Sequence, residues 1–106
     1  MQDGKELYNA MKKELHHSGS EAFYETVLKL KDADECRCFF EDICSPHELR
    51  TIEQRFALLY LLTSGNSYSE IAEETGASSA TISRASRQLN SSHCDLAGVI
   101  ARGKKH

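Results

Sequence analysis

The sequence lacks tryptophan, has one proline among 106 residues, and contains no apolar run near the roughly 18 residues that a membrane span needs. Its first residues are polar and do not form the apolar core of a secretory signal. These absences argue against a membrane-embedded or secreted protein. We expect a cytoplasmic protein that makes no membrane contact.

The patterns that common catalytic sites need are also missing. There is no glycine loop that could cradle a phosphate, no His-Glu-x-x-His run, and no histidine in a local pattern with a nucleophile. We therefore expect no enzyme, no catalytic residue and no required cofactor.

Four cysteines, Cys36, Cys38, Cys44 and Cys94, are expected to be reduced thiols, because no secretory signal accompanies them. With His47 they suggest zinc, but one residue separates Cys36 from Cys38, whereas zinc sites use about two to four. We expect no metal site and interpret the cysteines as buried small apolar residues. A metal-sensing or redox-sensing regulator is the alternative.

The composition, with 40% hydrophobic and 27% charged residues, is that of one folded domain, which we assign to residues 1–106. A chain of this length buries only about two thirds of its unfolded surface. A second copy would help to stabilise it, and we expect a homodimer.

The net charge of −3 conceals an asymmetry. Residues 1–77 carry 8 basic and 15 acidic side chains, whereas residues 78–106 carry 5 and 1, which gives net charges of −7 and +4. A basic C-terminal segment on an otherwise acidic chain favours contact with a nucleic acid at that end.

Apolar residues recur at helical spacing and do not alternate as in strands, which predicts an all-α protein of about six helices. The first helix is expected over roughly Lys5 to His17, the second after a cap at Ser18 or Ser20, and the third after a cap at Asp32. A last helix is expected from Cys94 to Arg102, packed on the partner subunit.

The run Ser45-Pro46-His47-Glu48 predicts the start of a central helix, with a capping hydroxyl, a proline at the first position and a glutamate at the third. Gly65 fits the position just past its end. Residues 57–62 are apolar on nearly every side, so we expect this helix at a subunit interface. The alternative is the buried centre of a monomeric bundle.

After Gly65 the sequence predicts a helix-turn-helix. Ser67 and Glu70 form a second capping box, and Gly76 lies where the chain must turn sharply. The close crossing and the apolar seam are expected to use Ile71, Ala72, Ile82 and Ala85.

The second of these helices has the composition of a DNA-recognition helix. We expect Ser78 to cap it, and its hydroxyls and guanidiniums suit phosphates and base edges. The candidate DNA-binding residues are Ser78, Ser79, Thr81, Ser83, Arg84 and Arg87. The alternatives are an ordinary helical hairpin and a module that docks another protein instead of DNA.

Ser45-Pro46, Arg55, Gly65, Gly76-Ala77 and the run Ala80-Thr81-Ile82-Ser83-Arg84 together resemble the Trp repressor family. The similarity covers roughly residues 20 to 92. The segment Cys38-Phe39-Phe40-Glu41-Asp42 resembles the YerC/YecD branch of that family.

This resemblance implies a sequence-specific repressor that is an intertwined all-helical homodimer. Each subunit would place one recognition helix in successive major grooves of a near-palindromic operator in double-stranded DNA. The chain would then divide into a dimerisation core (1–64), the helix-turn-helix (67–90), and a C-terminal helix with a basic tail (91–106).

The resemblance also implies an amino-acid corepressor bound between the recognition helix and the other subunit's core. By position, Arg84 would receive the ligand carboxylate, Arg55 would pack on the ligand ring, and Ser45 would form a polar wall.

The sequence departs from the family's tryptophan-binding pattern inside this pocket. Ala85 stands where that pattern has glycine, Gln88 stands where it has a small serine, and the loop between Gly65 and Glu70 is one residue shorter. The larger side chains leave less room for an indole, whereas the Gln88 amide suits an imidazole. We therefore rank histidine level with tryptophan, and the alternative is a regulator with no effector.

Overall fold

The computed structural model describes Glu6 and residues 19–104. The chain divides into two compact units, Met1–Ile43 and Cys44–His106. Residues 19–104 form six helices and no strand, which confirms the all-α prediction. No helix of the described part is long and apolar enough to cross a membrane.

The first unit contains helix α1 over residues 19–28 and helix α2 over Ala33–Ile43. The predicted cap of α2 is confirmed, because the Asp32 carboxylate accepts a hydrogen bond of 2.8 Å from the Glu35 N–H. Ser20 already lies inside α1, so a cap at that position is wrong.

Two expectations for the N-terminal segment lie outside the described residues. They are the helix over Lys5 to His17, apart from Glu6, which is helical, and the alternative cap at Ser18.

An aromatic cluster joins α1 to α2. The ring of Phe23 lies 6.3 Å from the rings of Phe39 and Phe40, and these two meet edge to face at 5.3 Å. On α1, Tyr24 and Leu28 are 62% and 84% exposed, so the described part of this unit leaves apolar surface uncovered.

The second unit is built around α3, Pro46–Thr63, which packs against the three helices that follow it. These are α4 (Tyr68–Thr75), α5 (Ser79–Ser91) and α6 (Leu96–Gly103). Both predicted ends of α3 are confirmed. Ser45 and Glu48 form a complete capping box, and Gly65 has the left-handed φ of 86° that ends the helix.

A small core holds this unit together. Leu58 of α3 is 6% exposed, and Ile71 of α4 and Ile82 of α5 are fully buried. Ala72 and Ala85 pack against them, so the predicted seam is confirmed. Ile100 of α6 is 5% exposed.

One face of α3 carries exposed apolar side chains that residues 44–104 do not cover. Ile52, Phe56 and Tyr60 are spaced four residues apart, and they are 50%, 50% and 41% exposed. Residues at this spacing lie above one another on a helix. We call these three residues the α3 stripe.

Helix α6 begins at Leu96, two residues later than expected from Cys94. Its cap, Asp95, has a positive φ of 52°, and its carboxylate accepts the Gly98 N–H at 3.2 Å. A Cβ on Gly98 would collide with that carboxylate, so this glycine makes room for the cap. The contacts of α6 are with α3 of its own chain, and packing on a partner stays a prediction.

The division at residues 43 and 44 differs from the division expected from the sequence, which placed α3 with the N-terminal segment. Because α3 contacts α4, α5 and α6, it is the scaffold that positions them. The assignment of residues 1–106 to one domain stays a prediction.

Candidate nucleic-acid interface and ligand cavity

The start of α4 is fixed by Ser67 and Glu70. The Ser67 hydroxyl accepts the Glu70 N–H at 3.1 Å, and the Glu70 carboxylate accepts the Ser67 N–H at 2.7 Å. This backbone hydrogen bond lowers the pKa of Glu70, because it stabilises the ionised carboxylate. The same arrangement at Ser45 lowers the pKa of Glu48.

Two residues shape the turn between α4 and α5. Gly76 adopts a left-handed φ of 75°, and its N–H donates to the Ala72 carbonyl at 2.8 Å. The Thr75 hydroxyl donates to the Ile71 carbonyl at 2.7 Å and accepts the Ala77 N–H at 3.1 Å. The Thr75 hydroxyl therefore completes the hydrogen bonds of the turn.

Ser78 caps α5, as the sequence predicts, because its hydroxyl accepts the Thr81 N–H at 3.2 Å. Ile82, one residue further, is fully buried against α3 and α4. This burial fixes which face of α5 points outward.

The outward face of α5 carries four exposed members of the predicted DNA-binding set: Ser78, Ser79, Arg84 and Arg87. Thr81 and Ser83, the other two, are half-buried. Helix α5 contains no acidic residue, so nothing on it opposes a polyanion. The face can donate hydrogen bonds from hydroxyls and guanidiniums to phosphates and base edges.

Three of the four predicted ligand residues surround one cavity of about 650 Å³ between α3 and α5: Arg55, Arg84 and Gln88. Thr81 completes its polar wall, and the remaining wall is Leu58, Leu59, Ala85 and Leu96. No acidic side chain of the described residues lines it. Such a wall suits a small molecule with an anionic group and an apolar body.

Ser45, the fourth predicted ligand residue, does not line this cavity. Its hydroxyl accepts the Glu48 N–H at 3.2 Å as the cap of α3.

A larger cavity of about 1220 Å³, which the sequence did not reveal, lies between α3 and the α4–α5 turn. It is lined on one side by side chains of α3, including Phe56 and Tyr60 of the α3 stripe, and on the other by Glu74, Thr75 and Gly76. Sequence spacing carried no signal for it, because these two walls are far apart along the chain.

The described residues contain no cluster of three or more His, Cys, Asp or Glu side chains that could hold a metal ion. All four cysteines are free. Cys36 and Cys44 are half-buried, but Cys38 and Cys94 are exposed, so interpreting all four as buried apolar residues is wrong. Cys94 lies in the connection between α5 and α6. Cys38 lies in the middle of α2, a helix in which no residue is buried.

The family model for the Trp repressor protein matches residues 18–104. The chain belongs to the Trp repressor family. This is a family of DNA-binding regulators, and the resemblance predicted from the sequence is confirmed.

Relatives in the Trp repressor family extend the comparison. The uncharacterised protein YerC of Bacillus subtilis (strain 168) is 46% identical over 67 residues, which are 63% of this chain. The match spans 64% of YerC, slightly less than two thirds of its length.

Two solved structures of the Trp repressor type share the fold. A TrpR-like protein from Eubacterium eligens ATCC 27750 is 41% identical with a TM-score of 0.71, over 80% of this chain and 88% of the other. A protein from Staphylococcus aureus, described as a candidate Trp repressor, is 29% identical with a TM-score of 0.74, over 89% and 94%.

Proposed function

We propose that this member of the Trp repressor family is a sequence-specific transcriptional repressor that binds operator DNA as a homodimer and responds to a free amino acid, tryptophan or histidine. The observation that carries the proposal is the outward face of α5. There, two hydroxyls and two guanidiniums stand exposed on a helix without acidic residues, at the end of a tight turn.

In this proposal α4, the turn and α5 act as a helix-turn-helix. Ser78 and Ser79 lie at the N-terminus of α5, where the helix dipole favours a phosphate. Arg84 and Arg87 lie three residues apart on the exposed face, within reach of phosphates or guanine edges in a major groove. The net charge of +4 over residues 78–106 supports binding at this end.

The α3 stripe supports the homodimer. Ile52, Phe56 and Tyr60 form a continuous exposed apolar row, with the Phe56 and Tyr60 rings 6.0 Å apart. Exposed contiguous apolar surface on a small protein marks an association site. A symmetric dimer would also supply the second recognition helix that a near-palindromic operator needs.

The cavity between α3 and α5 supports the amino-acid effector. Arg55 and Arg84 can pair with a carboxylate, the leucines can enclose an apolar side chain, and the Gln88 amide can bond a ring nitrogen. Because the cavity touches α5, a bound ligand would shift the population of α5 orientations towards those that fit DNA.

DNA binding is tested by fluorescence anisotropy of a labelled mixed-sequence duplex across a salt series. We expect the affinity to fall steeply with salt concentration. The slope of log affinity against log salt concentration should become shallower by about 0.9 for each phosphate that a variant no longer neutralises. Arg84→Ala and Arg87→Ala should weaken binding and reduce the slope. Arg37→Ala is the control, because Arg37 lies on α2 and pairs with Asp34 at 3.2 Å.

No salt-dependent binding by the wild type would contradict the proposal and favour the alternative of a module that docks another protein.

The effector is tested by thermal unfolding in the presence of each of the twenty amino acids. A ligand at about 100 times its dissociation constant stabilises the folded state by roughly 2.7 kcal/mol. We expect a raised midpoint with tryptophan or histidine and no such rise in the Arg55→Ala variant. A wild-type midpoint unmoved by all twenty would contradict the amino-acid effector and leave the DNA-binding proposal standing.

A further inference from the structure

Thr81 lies where the ligand cavity meets the outward face of α5. Of the α5 residues that line the smaller cavity, Thr81 alone also lines the larger one. Thr81 as a whole is half-buried.

The Thr81 hydroxyl connects two residues of the DNA-binding set. Its Oγ1 lies 3.0 Å from the Ser78 Oγ on one side and 3.5 Å from the Arg84 Nη2 on the other. The contact with Arg84 is long and therefore the weaker of the two. The Ser78 Oγ also accepts the Thr81 backbone N–H at 3.2 Å.

The number of protons that each group can donate sets the direction of the hydrogen bonds that link Arg84, Thr81 and Ser78. A guanidinium can only donate, so Thr81 Oγ1 accepts from Arg84. An oxygen that accepts from a cation becomes a better donor, which favours donation of the Thr81 O–H to Ser78.

With Thr81 donating, both acceptor positions of the Ser78 oxygen are occupied by Thr81, one by its N–H and one by its O–H. The remaining Ser78 O–H then points away from the protein, at the N-terminus of α5, where the helix dipole favours an anion.

We propose that Thr81 is a positioning residue for DNA binding: its hydroxyl orients the Ser78 O–H outward as a donor to a backbone phosphate. The proposal rests on the proposed DNA-binding function. Thr81 touches no phosphate itself and acts through Ser78.

The test is a double-mutant cycle on binding to a mixed-sequence duplex of about 30 base pairs, long enough for two half-sites one helical turn apart. Thr81→Val keeps the shape of the side chain and removes the hydroxyl. We expect it to weaken binding about tenfold, as for removal of one hydrogen bond of ordinary strength from each of two subunits. Thr81→Ser, which keeps the hydroxyl, should bind within about twofold of the wild type.

The cycle is closed with Ser78→Ala. Because Thr81 acts through Ser78, Thr81→Val should cause no further loss in the Ser78→Ala background. A structural role would instead give losses that multiply. Thr26→Val is the matched control, since Thr26 on α1 makes a hydrogen bond within its own helix, from its hydroxyl to the Ala22 carbonyl at 2.7 Å.

The outcomes separate the two proposals. A wild type that does not bind the duplex contradicts the proposed function. A wild type that binds, with Thr81→Val binding equally well or with multiplicative losses in the cycle, overturns the role of Thr81 alone. Thermal midpoints are measured for each variant, and Thr81→Ala replaces Thr81→Val in the cycle if the valine variant does not fold.

Discussion

The Lys104 ammonium lies 2.6 Å from the Ser64 hydroxyl, across 40 residues of sequence, and so ties the end of α6 to the end of α3. The same nitrogen lies 2.9 Å from the Thr63 hydroxyl and 3.4 Å from the Tyr60 carbonyl, and it stands 4.3 Å from the centre of the Tyr60 ring. All three ammonium donors therefore have acceptors at the negative end of a helix.

Replacing Lys104 with methionine is expected to destabilise the protein by about 1–2 kcal/mol, because it removes charge-assisted hydrogen bonds and a cation–π contact while keeping the length of the side chain. Lys29→Met, at an exposed position, should change the free energy of unfolding by less than about 0.5 kcal/mol. Chemical denaturation of both variants checks this, and equal effects would contradict the role assigned to Lys104.

Gly76→Ala and Gly19→Ala are expected to change stability in opposite directions. Gly76 has a φ of 75°, which strains any residue with a Cβ, so alanine there should cost about 1 kcal/mol. Gly19 is helical with open space around its Cα, so alanine there should stabilise α1 by up to about 1 kcal/mol. The thermal midpoint of each variant is compared with that of the wild type. Shifts in the same direction for both variants would contradict the local geometry described for these two glycines.

The two capping glutamates are expected to make the fold less stable in acid. Hydrogen bonds from the cap backbones hold the pKa of Glu48 and of Glu70 below the ordinary value in the folded chain. The unfolded chain keeps the ordinary pKa of about 4.3. As the pH falls below that value the unfolded state takes up protons first, so the free energy of unfolding decreases until the folded carboxyls are also protonated.

Glu48→Gln combined with Glu70→Gln should therefore flatten the acid limb of a stability–pH profile measured by urea denaturation. Glu73→Gln, on the same helix as Glu70 but outside its cap, should leave the acid limb as in the wild type. An unchanged acid limb in the double variant would show that the two capping glutamates do not cause the loss of stability in acid.

Phe56→Asp is expected to convert a dimer to monomers, because it places a charge in the centre of the α3 stripe. Ser69→Asp adds the same charge at an exposed position of α4 away from the stripe and should leave the dimer intact. Sedimentation velocity distinguishes the two. A wild type that sediments as a monomer at micromolar concentration would refute the homodimer.

Local chemistry explains which parts of the structure could be predicted from the sequence. The caps at Ser45, Ser67 and Ser78 and the turn at Gly76 depend on residues within a few positions of one another, and the structure confirms each of them. The buried seam was predicted because helical spacing places Ile71 and Ile82 on facing sides of two short helices.

Features that depend on distant residues could not be predicted. Nothing near Lys104 in sequence points to Ser64, and nothing near Asp95 indicates that it takes a positive φ to cap α6. For the candidate site, the sequence pointed to Arg55, Arg84 and Gln88, which the fold brings around one cavity. It did not show that Thr81 also lines that cavity.

Selection of bound duplexes from a library of random DNA sequences tests the central claim most directly, because it asks at once for DNA binding, sequence preference and two-fold symmetry. The account predicts enrichment of inverted half-sites about one helical turn apart, and loss of that enrichment in the Arg84→Ala variant. A selection that enriches no sequence, or a single site without symmetry, would contradict a sequence-specific homodimeric repressor.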